Sequence, residues 1–429
     1  MSDWGSRKLH FIGIGGAGMS GLALVCAELG ASVTGSDRSD SSYMERLRAA
    51  GIDPTVGHDA LNLPDGVEVV VSTAIGEDNP ELALARERGV EPIHRGALLA
   101  ELCAEKRLIA VAGTHGKTTT TAMLVWALRG LGADPAFFVG GEVPGLGAGQ
   151  AAANAGWGSG EWVIAEADES DGSFLDLKPE IAVVTNIEMD HHSRWGSVAE
   201  LRAAFAEFTA GARGVVRPED SDLEIELAVP GHHNLLNARA AVVAAEAAGF
   251  EPAAVATALA DFPGVKRRLE RKGSRGGARI YDDYAHHPTE VRAALSALRE
   301  QRPGRLIAVF QPHLYSRTKA FGEEFGAALA LADEAVVLDV YPAREQPVGE
   351  LAGVSGLRVA QAAAERMGGR RVVWLPDPGP AADALARLLD HNQAIGIEDQ
   401  VLVTIGAGDV FKLGEALIED SGGSEKVPR

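Results

Sequence analysis

Gly113-Thr114-His115-Gly116-Lys117-Thr118-Thr119-Thr120 is the stretch on which the reading of this chain turns. It follows an apolar run at residues 108–112 and precedes a helix-forming run at residues 122–128. A glycine-rich turn between a buried strand and a helix offers backbone N–H groups and a positive helix end to phosphate oxygens. Lys117 adds a point charge for the terminal phosphates of a nucleotide, and Thr118 a hydroxyl for a magnesium ion. A Walker-type loop carries a glycine five positions before Gly116, where this chain has Val111. The loop is therefore a variant. Gly113, Thr114, Gly116, Lys117, Thr118 and Thr119 are its expected nucleotide-binding residues, with ATP or GTP as the ligand.

Toward the N-terminus, residues 9–14 form a buried-strand pattern. Gly13-Ile14-Gly15-Gly16-Ala17-Gly18-Met19-Ser20-Gly21 turns it into a helix expected over residues 22–29. A strand at residues 32–35 ends on Ser36-Asp37, about twenty residues beyond the glycines. That is the spacing of a dinucleotide-binding turn, with a pyrophosphate on the helix end and an acid near a ribose. Close helix–strand packing is the other use of the same glycines. Strands at residues 67–72 and 90–93 continue the alternation.

Toward the C-terminus, strands at residues 162–165 and 181–185 end in polar residues. Ligands of open parallel sheets gather beyond the carboxyl ends of strands, so Glu166, Asp168, Glu169, Asp171, Asn186, Glu188, Asp190 and His191 share a rim with Lys117. Glu166 suits a hard cation, which would also compensate its burial. His191 is expected to be catalytic or to hold a second ion. Asn234 and Asn237, three apart at the start of an alanine-rich helix, share one face and could read an adenine edge; capping by Asn234 is the alternative. Beyond Pro263-Gly264, strands are expected at residues 279–281, 306–310, 334–340, 371–374 and 400–405. Polar clusters follow three of them, at residues 282–288, 311–318 and 339–345. Arg317 and Arg344 are suited to a carboxylate, which a planar guanidinium binds bidentately.

The 429 residues correspond to about three domains of roughly 150 residues, placed at residues 1–103, 104–262 and 263–429. The fold class is α/β. A formal charge of -20 argues against broad nucleic-acid binding. No apolar run has the length of a membrane span, and the first residues do not read as a signal peptide. Cys26 and Cys103 lie in apolar contexts and read as reduced core residues of a cytoplasmic protein.

In these ordered motifs the chain resembles the Mur ligase family, from about residue 9 to residue 411. The resemblance rests on residues 13–19, 113–120, 166–171, 186–191, 282–288 and 310–317. It implies a three-domain architecture: a Rossmann-like N-terminal domain, a central P-loop-like ATPase domain and a Rossmann-like C-terminal domain. Residues 166–171 with 282–288 favour the alanine-adding members, and so ATP-dependent ligation of L-alanine to the lactyl carboxylate of UDP-N-acetylmuramate through an acyl phosphate. A murein-tripeptide recycling ligase and a non-catalytic UDP-sugar sensor are the alternatives. The family pattern puts Lys117 at the ATP phosphates, Thr118 and Glu166 at one Mg²⁺, and His191 at a second. It puts Asn234 and Asn237 near the adenine, Asp283 at the ribose and Arg268 on the ATP side. His286, His313, Arg317 and Arg344 fall to the amino-acid side. Gly15, Gly16, Ala17, Gly18, Met19 and Ser20 would meet the UDP-sugar diphosphate, with Asp37 and His58 near the uridine. The protein would be a monomer or weak homo-oligomer, neither inserted in a membrane nor bound to nucleic acid. Three departures stand out. His192-Ser193-Arg194 replaces the usual Met-Asp-like sequence, and Leu314 stands where some members have Arg. Residues 213–231 are also a shortened segment, in which a charged turn at residues 217–222 is expected to join two strand-like pieces.

Overall fold

Parallel strands covered on both faces need continuous apolar runs, and such runs form inner strands of the sheets, as in residues 108–112 and 306–310. The computed structural model describes residues 3–190, 194–343 and 345–419. Two compact units emerge, Met1–Ala228 with Asn234–Val265, and Val229–His233 with Lys266–Arg429.

The first sheet of unit one holds β1 (Lys8–Ile12), β2 (Ser32–Asp37), β3 (Thr55–Val56), β4 (Glu68–Val71) and β5 (Ile93–His94). Its strands are all parallel, in the order β3-β2-β1-β4-β5. The order reverses beside β1, so the loops after β1 and β4 flank a crevice. The helix after β1 is Ala17–Glu28. It starts well before the expected residue 22, because Gly16 already caps it in extended conformation and the small residues that follow pack without cost.

The second sheet holds β6 (Arg107–Ala112), β7 (Ala136–Val143), β8 (Ala153–Gly156), β9 (Trp162–Glu166), β10 (Ile181–Val184) and β11 (Gly214–Val216). Its order is β11-β10-β6-β9-β7-β8, with only β8 antiparallel. Residues 108–112 of β6 are at most 4% exposed. Each such Leu, Ile or Val contributes about 1.5–3 kcal/mol by burial. Register does the rest: Val111 pairs with Glu166 and Ala112 with Val184, so the ends of three strands converge on the loop that leaves β6. The expected strand-turn-strand around residues 217–222 is half realised. β11 precedes the turn, but residues 221–231 carry no strand. Glu219, Asp220, Asp222, Glu224 and Glu226 make that segment too polar for a buried edge.

Unit two carries β12 (Glu270–Arg275), β13 (Ala278–Asp283), β14 (Arg305–Phe310), β15 (Glu334–Leu338), β16 (Val372–Leu375) and β17 (Gln400–Ile405). The order is β12-β13-β17-β14-β15-β16, with β12 antiparallel. The carboxyl ends of β13, β14, β15 and β17 lie side by side. Cys26 and Cys103 are buried free thiols, and burial pushes Cys26 up to about 12. No helix among the described residues is long and apolar enough to cross a membrane.

Candidate active site

Two glycines shape the loop between β6 and the helix Lys117–Gly130. Gly113 has φ 138° and Gly116 φ 83°, a region that L side chains avoid. Space forbids a side chain too: a Cβ would lie 2.0 Å from Thr185 Oγ1 at Gly113 and 2.4 Å from Asn237 Oδ1 at Gly116. Reciprocal bonds tie the loop to the chain beyond β10. Thr114 Oγ1 donates to the Glu188 carbonyl and accepts from the Glu188 N–H, each at 2.9 Å. His115 N–H donates to Asn186 Oδ1, and Asn186 Nδ2 donates back to the His115 carbonyl, each at 2.9 Å. The Gly116 carbonyl takes the Thr120 N–H at 2.9 Å, which leaves the N–H groups of Lys117, Thr118 and Thr119 without intrahelical acceptors. This geometry suits an anion.

Lys117 folds back over the loop, its Nζ donating to the Gly113 carbonyl and to Glu169 Oε2, both at 2.7 Å. Burial pulls the ammonium down, but Glu169, Asp168 and Glu166 more than reverse it and hold Lys117 above the ordinary lysine range. Burial pushes Asp168 up, yet Lys117 and Arg95 outweigh it and hold its carboxyl well below the usual range. For Glu169 burial wins over Lys117, and the carboxyl rises to about 7. Thr118 Oγ1 donates to Glu166 Oε1 at 3.0 Å, and the Gly140 N–H to Glu166 Oε2 at 2.7 Å. A carboxylate and a hydroxyl at the mouth of such a loop form the all-oxygen donor set that a hard divalent cation takes. These residues fit a magnesium ion.

The helix His232–Ala247 begins before Asn234, so Asn234 is a first-turn residue and not the cap. Asn234 and Asn237 are both buried, and Asn237 Nδ2 donates to Asn234 Oδ1 at 3.5 Å. Asn237 Oδ1 accepts from Thr120 Oγ1 at 3.3 Å, which places this carboxamide against the glycine loop. His191 lies outside the described residues, as do His192 and Ser193 beside it.

At the first sheet, Gly15 N–H donates to Asp37 Oδ2 at 2.9 Å, so Asp37 holds the glycine turn. Gly16 and Gly18 are exposed, and Gly15 and Ala17 half-buried. Met19 and Ser20 face the interior, and Ser20 is spent inside the helix, its N–H on the Gly16 carbonyl and its hydroxyl on the Ala17 carbonyl. His58 Nδ1 lies 3.0 Å from Ser36 Oγ and 3.3 Å from Glu81 Oε1. Glu81 has no exposed surface. It gathers His10 Nε2 at 2.9 Å, Ser36 Oγ at 2.7 Å, Asn62 Nδ2 at 3.0 Å and the Asp59 N–H at 3.2 Å. Burial pushes it up, but the bonds from His10, Ser36 and Asn62 hold it down at about 2.

Within unit two the strand-end loops meet. His313 forms an isolated bridge with Tyr341, and their rings stack 5.8 Å apart at 12°. His286 lies 6.0 Å from the His313 ring. Arg317 Nη1 is 3.4 Å from His313 Nδ1, and Leu314 turns the chain between them at φ 71°. Asp283 accepts the Leu269 N–H at 2.7 Å and the Ala285 N–H at 2.8 Å; its burial outweighs Arg268 and raises it to about 7. Arg268 sits over the Tyr284 ring at 5.3 Å and 4.0 Å from Glu290. Arg344 lies outside the described residues.

Sequence reasoning passed over Glu81, which reads locally as an ordinary first-turn acid. It also passed over Arg46, whose Nη1 donates to Asn154 Oδ1 at 2.7 Å and to Glu142 Oε1 at 3.1 Å. Arg95, with Nη2 2.8 Å from Asp168 Oδ2 and 2.7 Å from Asp171 Oδ2, was missed as well. Their partners lie 73 or more residues away for both arginines, beyond the reach of any local pattern.

Comparison with known proteins adds three family-model matches: "Mur ligase family, catalytic domain" at residues 8–107, "Mur ligase middle domain" at residues 111–215 and "Mur ligase, glutamate ligase domain" at residues 267–408. The chain is 43% identical to the UDP-N-acetylmuramate–L-alanine ligase of Paenarthrobacter aurescens, over 97% of both chains. It is 43% identical to the ligase of that name from Mycolicibacterium gilvum, over 96% of both. The first alignment runs to 466 positions against the 429 residues here, so that relative carries segments this chain lacks. Among solved structures, UDP-N-acetylmuramate-alanine ligase MurC from Thermotoga maritima superposes with a TM-score of 0.80 at 29% identity, covering 96% of this chain and 98% of the other. A murein peptide ligase from Psychrobacter arcticus shares the fold, with a TM-score of 0.68 at 22% identity over 98% of this chain and 100% of its own.

Proposed function

The chain belongs to the Mur ligase family, and from that premise we propose that it joins L-alanine to the lactyl carboxylate of UDP-N-acetylmuramate at the expense of ATP. The observation that carries this reading is the Gly113–Lys117 turn with Thr118 and Glu166 beside it, in a chain 43% identical to ligases of that activity. The three domains are taken as residues 1–103, 104–262 and 263–429, and the cytoplasm, where ATP is at hand, is the proposed compartment.

A free carboxylate is a poor acyl donor. Attack of its oxygen on the γ-phosphorus forms an acyl phosphate and breaks the bond to the β-phosphate oxygen, releasing ADP. The amine of L-alanine then attacks the carbonyl carbon, phosphate leaves with its bonding electrons, and the amine gives up a proton. Lys117 is assigned to neutralise charge as it moves onto the leaving oxygens, and the loop N–H groups to cradle the phosphates. Magnesium, held by Thr118 and Glu166, would supply further charge neutralisation for the phosphates. His191 is assigned to a second ion, and Asn234, Asn237, Asp283 and Arg268 to the nucleoside side. His286, His313, Arg317 and Arg344 are assigned to the incoming amino acid. The proton acceptor is His286, His313 or water.

The test is an amino-acid panel read by phosphate release and by the mass of the UDP-sugar product. The expected result is an alanine adduct, with ATP cleaved only when sugar and L-alanine are both present. Absence of the adduct overturns the assignment. Preference for L-Ala-γ-D-Glu-meso-diaminopimelate over L-alanine would move it to the peptide-recycling reaction.

A further inference from the structure

Arg95 opens the helix Arg95–Cys103, directly after β5, on the crevice side of the first sheet. One terminal nitrogen, Nη2, is held by two carboxylates, Asp168 at 2.8 Å and Asp171 at 2.7 Å. The other, Nη1, is turned toward the glycine run after β1: a methyl group placed on Gly18 would lie 3.6 Å from it. Among the described residues, neither Nη1 nor Nε has a protein acceptor. The guanidinium is about four-fifths buried, with side-chain exposure of 22%. A guanidinium has five N–H donors, so the Nη1 edge keeps donors for an incoming acceptor.

The neighbours say what the spare edge faces. The helix Ala17–Glu28 presents its uncapped first turn here, Gly16 offering no side-chain bond to it, and free N–H groups at a helix start draw anions. Asp168, on the opposite edge of Arg95, lies in the field of Lys117. The side chain thus stands between the glycine turn of the first sheet and the loop of the second. Holding one edge on two fixed carboxylates orients the other, as a bidentate clamp requires.

Resting on the function proposed above, we infer that Arg95 is a substrate-binding residue whose Nη1 edge takes an anionic oxygen of the UDP-sugar, either on the diphosphate or on the lactyl carboxylate. The two anions are separable, because UDP has the first and lacks the second.

The experiment measures affinity by titration calorimetry for UDP-N-acetylmuramate, UDP and ADP, with the full-length wild-type chain, Arg95→Lys and Arg95→Gln. Arg95→Lys keeps a cation for Asp168 and Asp171 but has no second edge, so it retains the wild-type melting temperature and tests binding even if Arg95→Gln fails to fold. Loss of one charge-assisted contact weakens UDP-N-acetylmuramate about tenfold or more, with ADP affinity unchanged. An equal loss for UDP assigns the contact to the diphosphate; a loss confined to UDP-N-acetylmuramate assigns it to the carboxylate. Wild-type affinity for both uridine ligands in Arg95→Lys overturns the inference, as does an equal loss for ADP, which would mark a purely structural role. Failure of the wild-type chain to bind UDP-N-acetylmuramate would instead sink the functional assignment beneath it.

Discussion

Lys117 is a buried ammonium among carboxylates, and deleting it separates chemistry from sugar binding. Lys117→Ala lowers turnover about 100-fold or more, the scale of losing one preorganised charge contact to a transition state. UDP-N-acetylmuramate affinity, which we assign to the first sheet, stays near the wild-type value in calorimetry; a comparable loss there would overturn the division of roles. Stability behaves less simply. Removing one partner of a buried pair costs about 3–5 kcal/mol, but Glu169 already titrates at about 7 and takes up a proton when its partner goes. The penalty in denaturant unfolding therefore shrinks as pH is lowered from 8 to 6. A penalty independent of pH would show that Glu169 is not the group relieved.

At the level of elements, one glycine run serves two ends. Gly15 and Gly16 make the turn after β1, whereas Gly21, within the helix Ala17–Glu28, meets β8: a Cβ there would lie 2.9 Å from Ala155 Cβ. In an open helix Gly→Ala stabilises by about 1 kcal/mol. Here overpacking reverses the sign, and Gly21→Ala destabilises by about 1–3 kcal/mol. Ala155→Gly in the same chain recovers most of that loss; a stabilised single variant in thermal melts would refute the close-packing account. The same contact explains what could be read in advance. β6, β9, β10 and β14 are built on unbroken apolar runs ended by glycine or polar residues, and β17 on a run interrupted only by Thr404, so each was legible, and with them the loop at Gly113 and Gly116. β8, Ala153-Asn154-Ala155-Gly156, has no strand propensity of its own, and Gly140-Gly141 interrupts β7. β7 is held by its pairing with β9, and β8 by its pairing with β7 and its packing on the helix Ala17–Glu28. Tertiary context likewise made Glu81 and Arg95 invisible, since every partner that defines them arrives from a distant segment.

Across the whole molecule, buried carboxyls set how stability follows pH. Glu169 and Asp283 are raised to about 7 in the fold, from ordinary values of 4.5 and 3.8. Their contribution is complete below those ordinary values and is lost as pH rises toward and through 7. Glu81 is lowered to about 2, so its contribution is present above 4.5 and is lost as pH falls toward 2. Melting temperature is therefore expected to peak in weakly acidic solution. Glu169→Gln flattens the decline on the neutral side, and Glu81→Gln the decline on the acid side. Unchanged slopes in both variants would show that other groups govern the profile. The loop at Gly113–Lys117 is locked by the paired Thr114–Glu188 and His115–Asn186 bonds before any nucleotide arrives, so its conformational entropy is surrendered during folding. Nucleotide capture then needs no rearrangement of the loop backbone, which lowers the entropic cost of binding. The mould is cast once, with the protein, and not anew at every turnover.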